Sequence, residues 1–285
     1  MSFEEKIRVA FGKRGEVWLV ELPKQLEKIA CLHELTGLTP FSNLSYNYVA
    51  RATMKGKSVV LKVGIPGTDF TNEAVAMQAF GTFGVPQLLF KNTDFGYYIM
   101  EDISPGYTLN VRFPETRTSV RLFVEQWRRL HDTEVPTTDL NQLPQIERWF
   151  ESLETHYDAI PEDWRLEAKR AKQRIHELQQ TTILHGDLHH ENILWDDLRG
   201  FVIIDPKGVV GHRYYDCVQF LFNKNKNLVE FKLKVELLID EHGFEENLLV
   251  DAIKALGTVY YAWMVEDRDP VVGERVEMLD WIMSK

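Results

Sequence analysis

Cysteine is nearly absent: the 285 residues contain two, Cys31 and Cys217. Each stands alone in an apolar helical setting, so neither a disulfide framework nor a CxxC zinc site is on offer, and a reducing cytoplasm is the expected location. Long apolar runs are missing too. The longest, Val259 to Val265, falls far short of the ~18 residues that span a bilayer. The opening residues Met1 to Lys6 lack the basic and apolar stretches of a signal peptide, so neither export nor membrane insertion is expected. Basic charge is in deficit: 33 Lys and Arg against 43 Asp and Glu give a net charge of −10. Such a chain repels phosphate backbones, which argues against nucleic acid as a partner. With 11 Pro, 17 Gly and 44% hydrophobic residues, collagen-like and disordered readings fall away. What is left is an ordinary globular composition, long enough for two domains at ~150 residues each.

The negative surplus is localised. Residues 1–110 carry 11 basic and 11 acidic side chains, whereas 131–170 carry 4 and 10, and 240–285 carry 4 and 11. These stretches read either as solvated helix faces or as an acidic basin that attracts a polycationic substrate.

Hydrophobic periodicity separates the chain near residues 103–110. Before that point lie a helical leader (1–37) closed by Gly37, strands over Tyr46–Met54 and Ser58–Gly64 about a Lys55-Gly56-Lys57 turn, a helix capped by Thr71, and strands over Gln87–Lys91 and Tyr97–Asp102. Beyond it the pattern is mainly helical, over Val120–His131, Leu143–His156, Trp164–Gln179 and three further segments from Tyr214 onward. Two short apolar runs, Ile183-Leu184 and Phe201 to Ile204, each lead straight into polar residues.

Those polar residues carry the chemistry. Asp187 in His185-Gly186-Asp187-Leu188-His189-His190-Glu191-Asn192 is followed five residues later by Asn192, and 13 residues further on by Asp205, at the end of an apolar strand. Metal-assisted phosphoryl transfer needs these residue types in this order. One carboxylate orients a hydroxyl and takes its proton, while an amide oxygen and a second carboxylate are hard ligands for Mg2+. Upstream, Lys62 is a lone cation in the apolar strand Val59-Val60-Leu61-Lys62-Val63, and Glu73 follows on the next helix.

The His-Gly-Asp-x-x-x-x-Asn and apolar-Asp pattern resembles the aminoglycoside phosphotransferase and choline kinase superfamily. Asp205-Pro206-Lys207-Gly208, with the doubled His189-His190, is similar to its streptomycin 6-kinase and hydroxyurea phosphotransferase subgroup; the resemblance runs from about Leu44 to Trp263. It implies a fold of the α+β class, bilobal and kinase-like, with a nucleotide-binding lobe over 1–103 and a catalytic, acceptor-binding lobe over 104–285. It implies that Asp187 is the catalytic base, that Asn192 and Asp205 hold Mg2+, and that Lys62, fixed by Glu73, binds the phosphates of ATP, with GTP left open. Ser45 and Asn47 stand where a nucleotide-covering loop is expected, in place of a GxGxxG, and Glu101 to Ile103 stand at the inter-lobe hinge that meets adenine. His185 and Asp216 are expected to shape and brace the catalytic loop and Lys207 to neutralise phosphoryl charge. Glu266, Asp267 and Asp269 are expected to meet a cationic acceptor. One departure stands out: Glu191 occupies a position where the subgroup usually has glycine.

The implied function is ATP- and magnesium-dependent transfer to a hydroxyl of a small molecule, an aminoglycoside of the streptomycin type. The alternatives are a metabolic kinase of choline-like, sugar or amino-alcohol acceptors and, more remotely, a nucleotide-binding regulator without turnover. A protein-substrate kinase is not expected, since no Ala-Pro-Glu segment follows Asp205. The histidines His185, His189 and His190 lack the open spacing of zinc ligands. Trp127, Trp149, Trp164, Tyr260, Tyr261 and Trp263 read as core, with those from Tyr260 onward closest to the expected acceptor pocket. Nothing separates monomer from homodimer.

Overall fold

The computed structural model describes residues 1–81, 84–132, 140–155, 157–267 and 272–285. Helix α1 (Phe3–His33) opens on a Ser2 and Glu5 capping box, kinks at Gly12 and ends at Glu34, which adopts the left-handed conformation with φ 54°. The expected helix end at Gly37 is therefore displaced. Gly37 instead lies within strand β1 (Leu35–Pro40), a strand without period-2 alternation that exists through its pairing with β2 (Tyr48–Met54).

A two-residue turn at Lys55 and Gly56, both with positive φ, joins β2 to β3 (Lys57–Val63); this turn matches the natural twist of a hairpin. After α2 (Thr68–Phe80), which starts at Gly67 rather than at Thr71, β4 (Leu88–Asn92) and β5 (Tyr97–Glu101) complete an antiparallel sheet of order β1-β2-β3-β5-β4. Side chains alternate across a strand. Val59, Leu61 and Val63 of β3 thus pack with Ile7, Trp18, Leu22 and Ile29 of α1, while Val60 faces the other way, with Phe70, Ala74 and Met77 of α2. Lys62 shares that second face.

The rest is mainly helical. Strand β6 (Pro105–Thr108) leads to α3 (Thr116–His131) and α4 (Glu162–His176). The helix expected over 143–156 is a 3-10 segment, Ile146–Glu151, and one helical turn, Ser152–Thr155; His156 lies outside the described residues. Its apolar residues Ile146, Phe150 and Leu153 are buried all the same, because spacings of three and four suit either helix type. The site strands follow: β7 (Thr182–Leu184), β8 (Ile193–Asp196), β9 (Gly200–Ile203) and β10 (Val209–Gly211). Four helices rather than three come after Tyr214 among the described residues: α5 (Asp216–Phe222), α6 (Leu228–Glu236), α7 (Glu246–Glu266) and α8 (Val272–Met283). By length and composition α7 could cross a bilayer, but 72% of its most apolar window is buried in the protein, where it packs along α4. The large core of this part extends to Ala76 and Phe80 of α2, so α2 packs against both the sheet and the helical part.

Candidate phosphotransfer site

Two antiparallel pairings set the site. Strand β7 pairs with β10, and β8 with β9, so the loop of residues 185–192 and the loop of residues 204–208 lie side by side. Backbone bonds tie them, Lys207 N to His185 O at 2.7 Å and Ile204 N to Asn192 O at 2.9 Å. His185 is fully buried. Its Nε2 lies 2.8 Å from Ile204 O, and its Nδ1 accepts from Asp187 N at 3.1 Å. These partners assign the proton to Nε2, and burial, which lowers the pKa of His185, keeps the ring neutral. Asp216 accepts from the amides of His185 and Gly186 at 2.8 and 2.7 Å and from His131 Nε2 at 2.9 Å, bracing the turn just ahead of Asp187.

Lys62 is 4% exposed and Glu73 7%. Lys62 Nζ donates to Glu73 Oε1 at 2.5 Å and to Asp205 Oδ1 at 3.1 Å, and Tyr98 OH also donates to Glu73 Oε1. Burial opposes charge on Lys62, but the carboxylates of Asp205 and Glu73 outweigh it and raise its pKa. The surrounding protein likewise works against ionisation of Asp205, and Lys62 more than offsets it, so that carboxyl lies below its ordinary range. Gly208 makes this approach possible. Its φ is +66°, and a Cβ there would lie 2.5 Å from Asn72 O and 2.9 Å from Ala76 Cβ, so only glycine lets the Asp205 loop sit against α2.

Asp187 is partly exposed, with Lys207 Nζ 3.6 Å from Oδ2 and His189 Nε2 3.5 Å from Oδ1. Asn192 Nδ2 donates to Asp187 O at 2.9 Å. Its amide nitrogen is thereby used and its oxygen left as a ligand. An amide oxygen and the half-exposed carboxylate of Asp205 form the hard-oxygen donor set that suits Mg2+. Glu191 contacts His189 Nδ1 at 3.0 Å and pairs with Lys224. Burial raises its pKa, but those two partners prevail and bring it down to about 2.

The structure thus brings together Lys62, Glu73, Asp205, Lys207, Asp187, Asn192, His185 and Asp216. The other expected residues fare differently. Ser45 is exposed; Asn47 sits over the end of β3, where its Oδ1 fills the space a Cβ on Gly64 would need. The side chain of Glu101 is taken up by Arg199 (2.7 Å) and Gln87 N (3.1 Å), and that of Ile103 is buried, so only backbone groups are left for a hinge role, and of these Glu101 N already donates to Gln87 O at 3.1 Å. Glu266 and Asp267 are exposed beyond Trp263 at the end of α7, and Asp269 lies outside the described residues. Trp149, read from the sequence as core, approaches the site, and the aromatic residues expected near the acceptor pocket pack behind it. A Cβ on Gly186 would lie 3.0 Å from the Trp149 ring; Trp149 packs on Trp263 and Trp263 on Tyr260, with centroids 5.6 and 5.5 Å apart. Tyr98 was not expected at all, since no local pattern shows a tyrosine on β5 reaching a glutamate on α2.

A sheet-bearing N-terminal region set against a mainly helical part, with this pair of loops between them, is the architecture of the kinase-like phosphotransferases. A solved aminoglycoside phosphotransferase APH(4)-Ia, a thermostable mutant in ternary complex with ADP and hygromycin B, shares it. The TM-score is 0.64 at 13% identity, over 90% of this chain and 97% of that one. The family model for aminoglycoside/hydroxyurea antibiotic resistance kinases matches residues 37–268, and the chain belongs to that family. It is 29% identical to a streptomycin 3''-kinase of Klebsiella pneumoniae over 161 residues, 52% of this chain and 58% of the relative, so the match spans less than two thirds of that relative's length. It is 25% identical to a streptomycin 6-kinase of Streptomyces griseus over 72% of this chain and 68% of that one.

Proposed function

We propose that this protein transfers the γ-phosphoryl group of ATP to a hydroxyl of a cationic small molecule, an aminoglycoside of the streptomycin type. The observation that carries the reading is the Lys62 ammonium, held in the interior between Glu73 and Asp205 and beside the loop of Asp187. Burying a cation with two carboxylates is costly unless its charge is used, and an ATP phosphate chain is the partner such a cation suits.

In this reading residues 1–103, with the helical leader 1–37, bind nucleotide, and residues 104–285 supply catalysis and the acceptor pocket. Asp187 orients the acceptor hydroxyl and takes its proton. Lys62, kept in place by Glu73, neutralises phosphate oxygens, and Lys207 adds positive charge next to Asp187. Asn192 and Asp205 would hold Mg2+, which when bound neutralises charge on the phosphates. Backbone groups of Glu101 and Ile103 and the loop of Ser45 and Asn47 receive the base and cover the phosphates. His185 and Asp216 hold the loop in shape. The acidic C-terminal stretches, with Glu266, Asp267 and Asp269 among them, draw in a polycation. ATP as donor places the activity in the cytoplasm. One relative is named for the 3'' position of streptomycin and the other for the 6 position, so either hydroxyl fits this reading.

The test is ADP release from ATP and Mg2+ with streptomycin, other aminoglycosides, hydroxyurea, choline, sugars and amino alcohols, using Asp187→Ala as control. The expected outcome is aminoglycoside-stimulated turnover that Asp187→Ala abolishes. Turnover with choline or a sugar alone moves the function to a metabolic kinase, and full turnover by Asp187→Ala removes that residue from its role.

A further inference from the structure

The adjacent histidines of the catalytic loop face opposite ways. His190 is buried, stacks on Phe220 with centroids 4.4 Å apart, and places Nδ1 2.7 Å from Asn223 Oδ1. It anchors the loop to the core. His189 turns instead to the side where Asp187 lies, with Nε2 3.5 Å from Asp187 Oδ1 and Nδ1 3.0 Å from Glu191 Oε2. Glu191 in turn is paired through Oε1 with Lys224. Asn223 and Lys224, next to each other in one turn, therefore anchor both histidines, the first directly and the second through Glu191.

We propose that His189, held by Glu191 and Lys224, positions the carboxylate of Asp187 for phosphoryl transfer. The inference rests on the phosphotransferase reading and deepens it. A carboxylate base is free to rotate about two side-chain bonds, and rate falls steeply when a reacting group is misplaced by even 1 Å. Here the two oxygens of Asp187 are approached from different partners, Oδ2 by Lys207 and Oδ1 by His189. Lys207 is 57% exposed in its side chain and can swing, whereas that of His189 is 19% exposed and fixed at its far nitrogen. A ring that bridges the two carboxylates of Asp187 and Glu191 carries an N–H on each nitrogen and donates to both. Glycine at 191 would leave His189 Nδ1 without its carboxylate partner. The rival is a purely structural role, in which Nδ1 carries no proton and accepts from Glu191 N at 3.2 Å, capping the short turn His190–Asn192.

The two roles use different ring nitrogens, so two variants separate them. His189→Gln can place an amide where Nε2 stands, next to Asp187; His189→Asn reaches only the Nδ1 position. The measurement is kcat and KM for ADP release with Mg-ATP and streptomycin, and with water as acceptor, together with melting temperature, for His189→Ala, His189→Gln, His189→Asn, Glu191→Gln and Asp187→Ala. Expected are a kcat about 10- to 100-fold lower for His189→Ala with KM and melting temperature nearly unchanged, substantial recovery in His189→Gln, little in His189→Asn, and a smaller loss in Glu191→Gln. Wild-type kcat in His189→Ala, or recovery by His189→Asn as full as by His189→Gln, overturns the proposal while an inactive Asp187→Ala leaves the phosphotransferase reading standing. An active Asp187→Ala removes both.

Discussion

Two buried lysines, one in each part of the molecule, are treated in opposite ways. Lys62, on the central sheet, is 4% exposed and faces two carboxylates that hold it charged. Lys234, on α6 of the helical part, is 1% exposed; its Nζ donates to Asn223 O at 2.6 Å and lies 5.2 Å from the centre of the Phe220 ring. Burial, barely opposed by Glu230, pushes its pKa down to about 7. Burial alone strips a lysine of its charge; a charge persists inside only where the protein supplies counter-charges. Lys234 serves as a long donor to a carbonyl, whereas Lys254, also buried in the helical part, pairs with Glu167 at 3.4 Å. The sheet holds Lys62 between two carboxylates, one of them on the Asp205 loop, and that double pairing marks the site.

The contrast can be broken from either side. Lys62→Met is expected to lower turnover by about 10²–10³-fold and to cost about 3 kcal/mol of stability, since Glu73 is left buried without its cation. Lys62→Met/Glu73→Gln should regain that stability but not the turnover. Denaturant unfolding and ADP release check both, and equal stability of the single and double variants would show that the pair is not the source. The effect at Lys234 is smaller and depends on pH. Its folded pKa, about 7, lies below the ordinary 10.5, so between those values the unfolded chain binds more protons and stability rises with pH. Below about pH 7 the penalty of the buried charge is fully present. Melting temperatures of the wild type and Lys234→Met should therefore diverge as pH falls from about 10.5 to 7, in favour of the variant, and run parallel below. A constant difference across that range would mean that Lys234 titrates normally.

The legible parts of the site were those written in one stretch of chain. Asp187, Asn192 and Asp205 stand in two short loops whose spacing is itself the signal, and Lys62 shows as the one charge in an apolar strand. What the sequence hid depends on contacts between distant segments. Strand β1 needs β2 to exist, and Leu35–Pro40 alone lacks alternation. Glu34 rather than Gly37 caps the helix, although both have positive φ, because helix α1 ends as soon as that strand begins to pair. Tyr98 reaches Glu73 across the sheet face, and Trp149 reaches Gly186 through packing between segments nearly 40 residues apart. Gly208 looked like part of a family signature, yet its physical reason is the 2.5 Å that a Cβ would leave to Asn72 O.

In the proposed reaction the labour is divided between Asp187, which acts on the acceptor, and Asp205, which acts on the magnesium nucleotide. Calorimetric titration of ATP into the wild type, Asp187→Ala and Asp205→Asn, each with and without Mg2+, tests it most directly. Asp187→Ala is expected to bind Mg-ATP as the wild type does while transferring nothing, and Asp205→Asn to lose at least about tenfold in magnesium-dependent affinity. Wild-type magnesium dependence in Asp205→Asn, or a loss of nucleotide affinity in Asp187→Ala as large as that in Asp205→Asn, would contradict it.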